Sequence, residues 1–207
     1  MIGPSQNYLG RLVDAIAALD RESLDHAVKL VRMAWLGGRQ IITLGNGGSA
    51  MTALHFITDW NKMIYLATRR PFRGRTLVDN IGLLTAYGND ISFEDIFAQQ
   101  LKSICEPGDL VIAISGSGNS ENVIRAVNYA NSVGSDTLAL CGFDGGRLKH
   151  IAKQVVWANV NDMQLCEDIH AIFGHIVMQT LCNERPIERR DPTRDKSTGD
   201  RQATQGL

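Results

Sequence analysis

The sequence is short of cysteine, of net charge and of long apolar runs, and each shortage excludes a class of protein. Its four cysteines among 207 residues have no CxxC spacing, so reduced core thiols are expected rather than disulfides or a cysteine zinc site. The formal net charge of -1 offers no general attraction for nucleic acid or an anionic membrane. No apolar stretch approaches the length of a membrane span, and the N-terminus lacks a basic-then-apolar signal pattern. We therefore expect a cytoplasmic protein that binds a small ligand, with neither nucleic acid nor membrane as a partner.

The chain is long enough for one α/β domain with a full core, since 44% of its residues are hydrophobic and 21% charged. Strand-like and helix-like segments alternate over residues 40–185, which predicts a doubly wound parallel sheet of five strands flanked by helices. Residues 1–39 have the pattern of two amphipathic helices, which either cover the sheet or pack on another subunit. Residues 186–207 are polar and are expected to form a flexible tail.

A glycine-rich turn follows the first predicted strand. Residues 41–44 are apolar and mostly β-branched, which predicts a short buried strand, and a helix is predicted after the turn. Glycine lets the backbone approach a ligand closely, and the free N–H groups at a helix N-terminus attract an anion. We expect a phosphate at this turn, where the candidate binding residues are Asn46, Gly47, Gly48 and Ser49. A glycine-rich turn without any ligand is the alternative interpretation.

A serine-rich turn follows the most apolar strand, residues 110–114. Its hydroxyl and N–H groups can surround phosphate oxygens without a lysine, and the candidate residues are Ser115, Gly116, Ser117 and Ser120. Ser120 can also cap the helix predicted after it, so a well-capped turn without a ligand is again the alternative. Both turns are predicted at equivalent ends of parallel strands, where open α/β sheets bind ligands. This common position favours a ligand site.

Two helices carry ionisable side chains at helical spacing. His55 and Asp59 are four residues apart and therefore share one face of the helix behind the first turn. On the last long helix, residues 165–183, Glu167 and His175 are two turns apart and lie on roughly the same face, whereas His170 is off that line and is expected to be a core residue. Asn89 and Asp90 are predicted in a turn after a helix that ends near Gly88, and a strand is predicted at residues 76–79.

With these residues in view, the chain resembles the sugar isomerase (SIS) domain family and, within it, the phosphoheptose isomerases. The likeness runs from about residue 8 to residue 183, and its most specific segments are GNGGSAMTALHF, YGNDISFEDIF, PGDLVIAISGSGNSENVIRA and EDIHAIFGH. The resemblance implies interconversion of sedoheptulose 7-phosphate and glycero-manno-heptose 7-phosphate. That reaction would supply the first step of nucleotide-activated heptose biosynthesis.

The resemblance also implies roles for individual residues. The serine-rich turn would hold the phosphate, while the first turn together with Asn89 and Asp90 would contact the sugar. The family's metal-binding and catalytic positions fall on four residues of this chain, which are His55, Asp59, Glu167 and His175. Members often carry zinc, here one ion per subunit, and assemble as tetramers whose active sites are lined by more than one subunit.

Two residues depart from the family pattern. Asp59 stands where these isomerases usually have glutamate, and Glu167 stands where they usually have glutamine. The shorter carboxylate changes its reach to the substrate, and the added negative charge should favour a divalent cation. Our hypothesis is that Asp59 is the base at carbon and His175 the acid/base at oxygen. The alternatives are a non-catalytic SIS adaptor that binds a replication initiator protein and a phosphosugar sensor that binds without turnover.

Overall fold

The computed structural model describes residues 3–184, so the predicted tail at 186–207 lies outside the described residues. The strands are β1 (Ile41–Gly45), β2 (Gly74–Thr76), β3 (Leu110–Ser115), β4 (Asp136–Cys141) and β5 (Gln154–Trp157). The α-helices are α1 (Pro4–Ala17), α2 (Arg21–Leu36), α3 (Gly47–Asp59), α4 (Tyr65–Thr68), α5 (Ile81–Asp90), α6 (Ile96–Ile104), α7 (Glu121–Ser132), α8 (Leu148–Ile151) and α9 (Met163–Cys182). Within residues 3–184, no helix combines the length and apolar character needed to cross a bilayer.

The five strands form one parallel sheet, which confirms the predicted fold. Their order is β2-β1-β3-β4-β5, and β1 pairs with β3 from Ile41 opposite Leu110 to Gly45 opposite Ile114. The chain therefore leaves β1 in one direction to form β2 and returns to the other side of β1 to form β3. In a doubly wound sheet of this order, the crevice for a ligand opens between the carboxyl ends of β1 and β3.

Side chains of the central strands alternate between two hydrophobic cores. On β3, Leu110, Ile112 and Ile114 face one core, while Val111 and Ala113 face the other. Helices α2, α3 and α9 cover the first face, and helices α5 to α8 contribute to the second. Burial on both faces explains why this strand reads as an uninterrupted apolar run.

The two N-terminal helices contact the rest of the fold differently. Helix α2 buries Ala27, Val31 and Trp35 in the core beneath the sheet. Helix α1 has no fully buried residue, but one face of it packs against a small buried cluster that includes Cys166 and Ile169 of α9. Polar contacts add to this packing, since the Tyr8 hydroxyl donates to Asp168 at 2.7 Å and Arg11 pairs with Asp162. The bond to the Asp168 carboxylate raises the pKa of Tyr8 to about 12.

The region between residues 74 and 90 differs from the sequence prediction. Strand β2 is Gly74–Thr76, so it begins before the predicted strand and shares only Thr76 with it. The carboxamide of Asn61 pairs with both the N–H and the carbonyl of Gly74 and fixes the start of this edge strand. Helix α5 continues through Gly88 to Asp90, so Asn89 and Asp90 lie in its last turn and not in a following loop. Backbone bonds from Ile91 and Ser92 to the Tyr87 carbonyl close the end of this helix.

Helices α3 and α9 pack closely against each other at Gly174. A Cβ at this position would lie 2.1 Å from Phe56 Cε1. The Phe56 ring stacks on Trp60 with their centroids 4.8 Å apart, and Trp60 Nε1 donates to the Gly174 carbonyl at 2.9 Å. Trp60 begins a π-helical turn, Trp60–Ile64, immediately after Asp59. Such turns often occur at functional sites, and this one is anchored to α9.

We expect the substitution Gly174→Ala to lower the free energy of unfolding by about 1–3 kcal/mol, because the new methyl group would force Phe56 and Trp60 apart. Urea denaturation measures this change. The matched control is Gly10→Ala in α1, where a Cβ meets nothing within 4 Å. Because alanine forms helices better than glycine, this control should raise the free energy of unfolding by about 0.5–1 kcal/mol. Equal stability of Gly174→Ala and the parent protein would contradict the close packing.

Candidate active site

A cavity of about 280 Å³ opens between the ends of β1 and β3, where the sheet topology places a ligand. Both predicted turns line it, together with two residues of α9. The lining residues are Asn46, Gly47, Gly48, Ser49, Ile114, Ser115, Gly116, Ser117, Ser120, Met163 and Glu167. We call this space the phosphate cavity. Of the predicted phosphate and sugar contacts, only Asn89 and Asp90 are not among its lining residues.

The first turn brings the backbone close to α9 because it has no side chain at Gly48. A Cβ at Gly48 would lie 2.2 Å from Glu167 Oε1, so a larger residue here would displace this carboxylate from its position. Asn46 precedes α3 but makes no capping bond. Its carboxamide instead exchanges two hydrogen bonds, of 2.8 and 3.0 Å, with the buried Asn122 of α7. This pair links the two turns.

The second turn reverses direction at Gly118, which has φ +65° and whose N–H donates to the Ser115 carbonyl. Ser120 occupies the N-cap position of α7, but its side chain makes no capping bond. Its hydroxyl oxygen lies 3.4 Å from that of the buried Ser115. Both serines line the cavity next to the N-terminus of α7, a position that favours a bound anion. Within residues 3–184, no lysine or arginine lines the cavity.

A second group of polar side chains lies where α3 ends and α9 runs past it. His55 Nε2 is 3.2 Å from His175 Nε2 and 3.4 Å from Asp59 Oδ2. The side chains are accessible, with 49% of His55 and 30% of Asp59 exposed. The two histidines meet because Gly174 lets α3 and α9 approach at the residue next to His175.

These three side chains could hold a metal ion, because one ligand atom from each lies within 4.8 Å of the others. Tetrahedral zinc with bonds of about 2.0–2.2 Å separates its ligand atoms by roughly 3.3–3.6 Å. The two measured separations, 3.2 and 3.4 Å, agree with such a site. Two imidazole nitrogens and one carboxylate oxygen are also the donor set of open, catalytic zinc sites.

Glu167 does not join this cluster. Eight residues on an α-helix correspond to an axial rise of about 12 Å, so Glu167 and His175 share a face of α9 but lie at different heights. The carboxylate of Glu167 lies in the phosphate cavity against Gly48. Of the four predicted ligands, His55, Asp59 and His175 form the group of close ligand atoms within residues 3–184, and Glu167 lines the phosphate cavity instead. Asn89 and Asp90 are likewise exposed on α5 and hydrogen-bonded to each other at 2.9 Å.

His170 is a core residue, as its position on α9 predicted. It is fully buried, and neither ring nitrogen has a hydrogen bond of good geometry, although the Cys141 backbone is close enough to favour the charged ring slightly. Burial dominates and lowers the pKa of His170 to about 4.

Sequence reasoning missed two residues of the site. Asn122 pairs with Asn46 and so joins the two turns. Met163 packs against the second turn, since its sulfur would lie 2.4 Å from a Cβ added at Gly116. Asn122 lies two residues after Ser120, in the first turn of α7, and this closeness to the serine-rich turn is the one sequence feature that could have indicated it. Met163 is distant in sequence from both turns, so no local pattern indicated it.

With this geometry established, the sequence pattern that defines the SIS domain matches residues 6–142, more than half of the chain. The chain belongs to the SIS domain family. The SIS domain is similar to a phosphoheptose isomerase of Aliarcobacter butzleri, with 35% identity over 79% of this chain and 86% of that protein. It is also 34% identical to a phosphoheptose isomerase of Aquifex aeolicus over 84% of this chain and 91% of that protein.

A solved structure has the same architecture as this SIS domain. The phosphoheptose isomerase of Neisseria gonorrhoeae superposes with a TM-score of 0.78 and 26% identity, covering 84% of this chain and 95% of that one. The likeness therefore covers more of the chain than the pattern match does.

The buried His170 predicts a loss of stability in mild acid. Its folded pKa of about 4 is below the ordinary value of 6.5, so the unfolded chain binds a proton first and stability falls as the pH decreases from 6.5 towards 4. Through this group, lowering the pH from 7 to 5 should reduce the free energy of unfolding by about 2 kcal/mol, measured by urea denaturation at both pH values. In His170→Gln that contribution to the pH dependence should disappear, whereas it should persist in the control His150→Gln, where the histidine is exposed. Equal pH dependence in both variants would contradict the assignment.

Proposed function

We propose that this protein interconverts D-sedoheptulose 7-phosphate and D-glycero-D-manno-heptose 7-phosphate, a ketose–aldose isomerisation through an enediol. The observation that carries the proposal is that one helix, α3, begins at the phosphate cavity and ends at the His55–Asp59–His175 cluster. The phosphoheptose isomerases to which the chain is similar support the same assignment. The product would feed the synthesis of nucleotide-activated heptose.

The phosphate group is assigned to the serine-rich turn. Ser115, Ser117 and Ser120 offer hydroxyl donors beside the N-terminus of α7, and this arrangement can bind a phosphate without a basic side chain. Asn46, Gly47, Gly48 and Ser49 line the opposite wall and are assigned to the sugar.

The separation of the two parts of the site suits a long sugar phosphate. Along α3, His55 lies seven residues beyond Gly48, an axial rise of about 10 Å. An extended seven-carbon chain with its phosphate ester spans roughly 9–10 Å from phosphorus to the carbonyl end. A phosphate in the phosphate cavity would thus allow C1 and C2 to reach the cluster.

Catalysis needs two proton transfers, and the cluster has a group for each. Asp59 removes the proton from C1 of the ketose, and the resulting enediol regains a proton at C2 to give the aldose. His175 moves the second proton, between the oxygens on C1 and C2. His55 lies within 3.4 Å of both partner side chains and holds the carboxylate and the imidazole in place.

We propose one zinc ion per subunit, held by His55, Asp59 and His175, because their ligand atoms have separations suited to tetrahedral zinc. With the ion held by Asp59 Oδ2 and His175 Nε2, proton transfer would use the other carboxylate oxygen of Asp59 and the other ring nitrogen of His175. Bound there, zinc would polarise the carbonyl and stabilise the negative charge of the enediolate. Glu167 is assigned to the substrate, since its carboxylate lies against Gly48 and can accept hydrogen bonds from sugar hydroxyls.

The free thiols support a cytoplasmic location. Cys105, Cys141, Cys166 and Cys182 form no disulfide, which is the usual condition of cysteines in a reducing compartment. Burial raises the pKa of Cys141 to about 12 and keeps this thiol protonated.

Asp59→Asn should reduce kcat by roughly 10²–10⁴-fold, because it removes the base while keeping the shape of the side chain. The measurement is NMR detection of aldose formed from sedoheptulose 7-phosphate, with and without added zinc. His175→Ala should lose activity and also retain less zinc by elemental analysis. Asp25→Asn, an exposed acid on α2, is the matched control and should be fully active.

The same experiment separates the alternatives. Binding of the sugar phosphate without turnover in the parent protein would favour a sensor and overturn the enzymatic assignment. Absence of both binding and turnover would favour an adaptor and overturn the phosphate cavity as well. Full activity of Asp59→Asn would remove Asp59 from the mechanism.

We also propose that the chain assembles as a homotetramer whose subunits complete one another's sites. Large apolar side chains are exposed on two separate helical surfaces, including Leu9 (59%) on α1 and Ile81 (72%) with Phe93 (61%) at α5 and the turn after it. Asn89 and Asp90 are exposed at the end of α5, outside the phosphate cavity of their own chain. They would reach a sugar only in a neighbouring subunit.

Sedimentation velocity should give a particle of four times 22.7 kDa. Ile81→Asp should shift the protein to smaller species, because it places a charge in an apolar contact. The control is Asn128→Asp, on an exposed face of α7. A monomeric parent protein would refute the shared site.

A further inference from the structure

A larger cavity, of about 570 Å³, lies beside the phosphate cavity. It is lined by Ser117, Asn119, Phe143, Asp144, Asn159, Asn161 and Met163, and we call it the asparagine cavity. Ser117 and Met163 line both cavities and therefore form their common wall. The reaction assigned above uses none of the other five residues.

The asparagine cavity is at the functional edge of the sheet. Its residues follow the carboxyl ends of three neighbouring strands: Asn119 comes after β3, Phe143 and Asp144 after β4, and Asn159 and Asn161 after β5. Open parallel sheets bind small molecules at this edge. The cavity has about twice the volume of the phosphate cavity, enough for a ligand of its own.

The polar side chains of this cavity are of two kinds. Asn119 and Asp144 are fixed by the backbone: Asn119 donates to the Ser117 carbonyl and accepts from the Arg147 N–H, each at 3.0 Å, and Asp144 accepts from the Gly146 N–H at 3.0 Å. The carboxamides of Asn159 and Asn161 are exposed, and the hydrogen bonds among residues 3–184 include none made by either of them. Each can therefore offer a donor and an acceptor to a ligand.

An aromatic ring completes the wall. Phe143 has φ +49°, a conformation that side-chain-bearing residues rarely adopt. Two neighbours hold it there, since its N–H donates to the Val160 carbonyl at 3.2 Å and its own carbonyl accepts from Trp157 Nε1 at 3.0 Å. Strain maintained by surrounding contacts is a recurring feature of ligand sites.

The charge of the cavity selects the class of ligand. Among the residues that the structure describes, no lysine or arginine lines it and Asp144 is the one charged lining residue, so an anion would be disfavoured. Carboxamides and a carboxylate match hydroxyl groups, which both donate and accept, while an aromatic ring packs against the C–H face of a sugar. A nucleotide or a second phosphate would lack a counter-charge here.

We propose that the asparagine cavity is a second binding site, which takes a neutral polyhydroxylated molecule, a sugar or polyol without phosphate. It is distinct from the phosphate cavity and does not depend on the isomerisation. Asn159 and Asn161 are the residues that recognise the ligand's hydroxyl groups.

The test uses D-mannose and D-mannitol as probes with the full-length protein. Saturation-transfer NMR should detect binding of at least one of them, and the side-chain amide signals of Asn159 and Asn161 should shift during the titration. Asn159→Ala and Asn161→Ala should each weaken binding roughly two- to tenfold, the contribution of one neutral hydrogen bond. Asn128→Ala, which removes an exposed carboxamide on α7, should leave the affinity unchanged. Inorganic sulfate should not shift the two amide signals.

Two results would overturn the proposal. The first is that neither probe binds, or that binding is unaffected by both alanine substitutions. The second is that Asn161→Ala raises KM for sedoheptulose 7-phosphate as much as it weakens sugar binding, since the cavity would then be an extension of the substrate site. Failure of the isomerase assay alone would contradict only the function proposed above, because the NMR titration does not use turnover.

Discussion

The contact between α3 and α9 at Gly174 determines the geometry of the rest of the site. Because Gly174 has no side chain, the Phe56 ring fits against the α9 backbone and Trp60 bonds to it. His55 is adjacent to Phe56, and His175 is adjacent to Gly174. The close packing of two apolar surfaces therefore places two polar groups 3.2 Å apart. Large side chains in a dense core have few alternative arrangements, so the separation of the histidines is well defined.

The phosphate cavity depends on the backbone more than on charged side chains. It has serine hydroxyls, asparagine amides and a helix N-terminus, but its ionisable lining residue is the acid Glu167. Two like charges repel by about 1 kcal/mol at 4 Å in water and by more where water is excluded. A bound phosphate is therefore favoured on the Ser115 and Ser120 side, away from Glu167. This leaves the Glu167 carboxylate available for the hydroxyl groups of the sugar.

Helix α9 connects the three functional regions of the molecule. Met163, at its first turn, lies on Gly116 and separates the two cavities, Glu167 enters the phosphate cavity one turn later, and His175 reaches the cluster two turns beyond that. Its N-terminus is capped by Asp162, whose carboxylate accepts from two backbone N–H groups and pairs with Arg11 of α1. Helix α1 has no fully buried residue, but it packs against the core with partly buried side chains and restrains the start of the helix that carries these groups.

The sequence by itself determined the elements that follow from local chemistry and periodicity. Alternating strands and helices predicted the parallel sheet, glycine and serine turns predicted the two walls of the phosphate cavity, and the spacing of His55 and Asp59 predicted their shared face. Local patterns could not determine which residues of one helix lie beside which residues of a neighbouring element. Glu167 therefore appeared to belong with His175, although about 12 Å of helix separates them.

Only the tertiary structure decided which distant side chains meet. The pairing of Asn46 with Asn122, the end of β2 at Thr76 and the extension of α5 through Asp90 all depend on contacts made by other parts of the chain. The asparagine cavity likewise combines the ends of three strands. None of its residues forms a motif in sequence, because the sheet brings them together through hydrogen bonds between strands that are far apart along the chain.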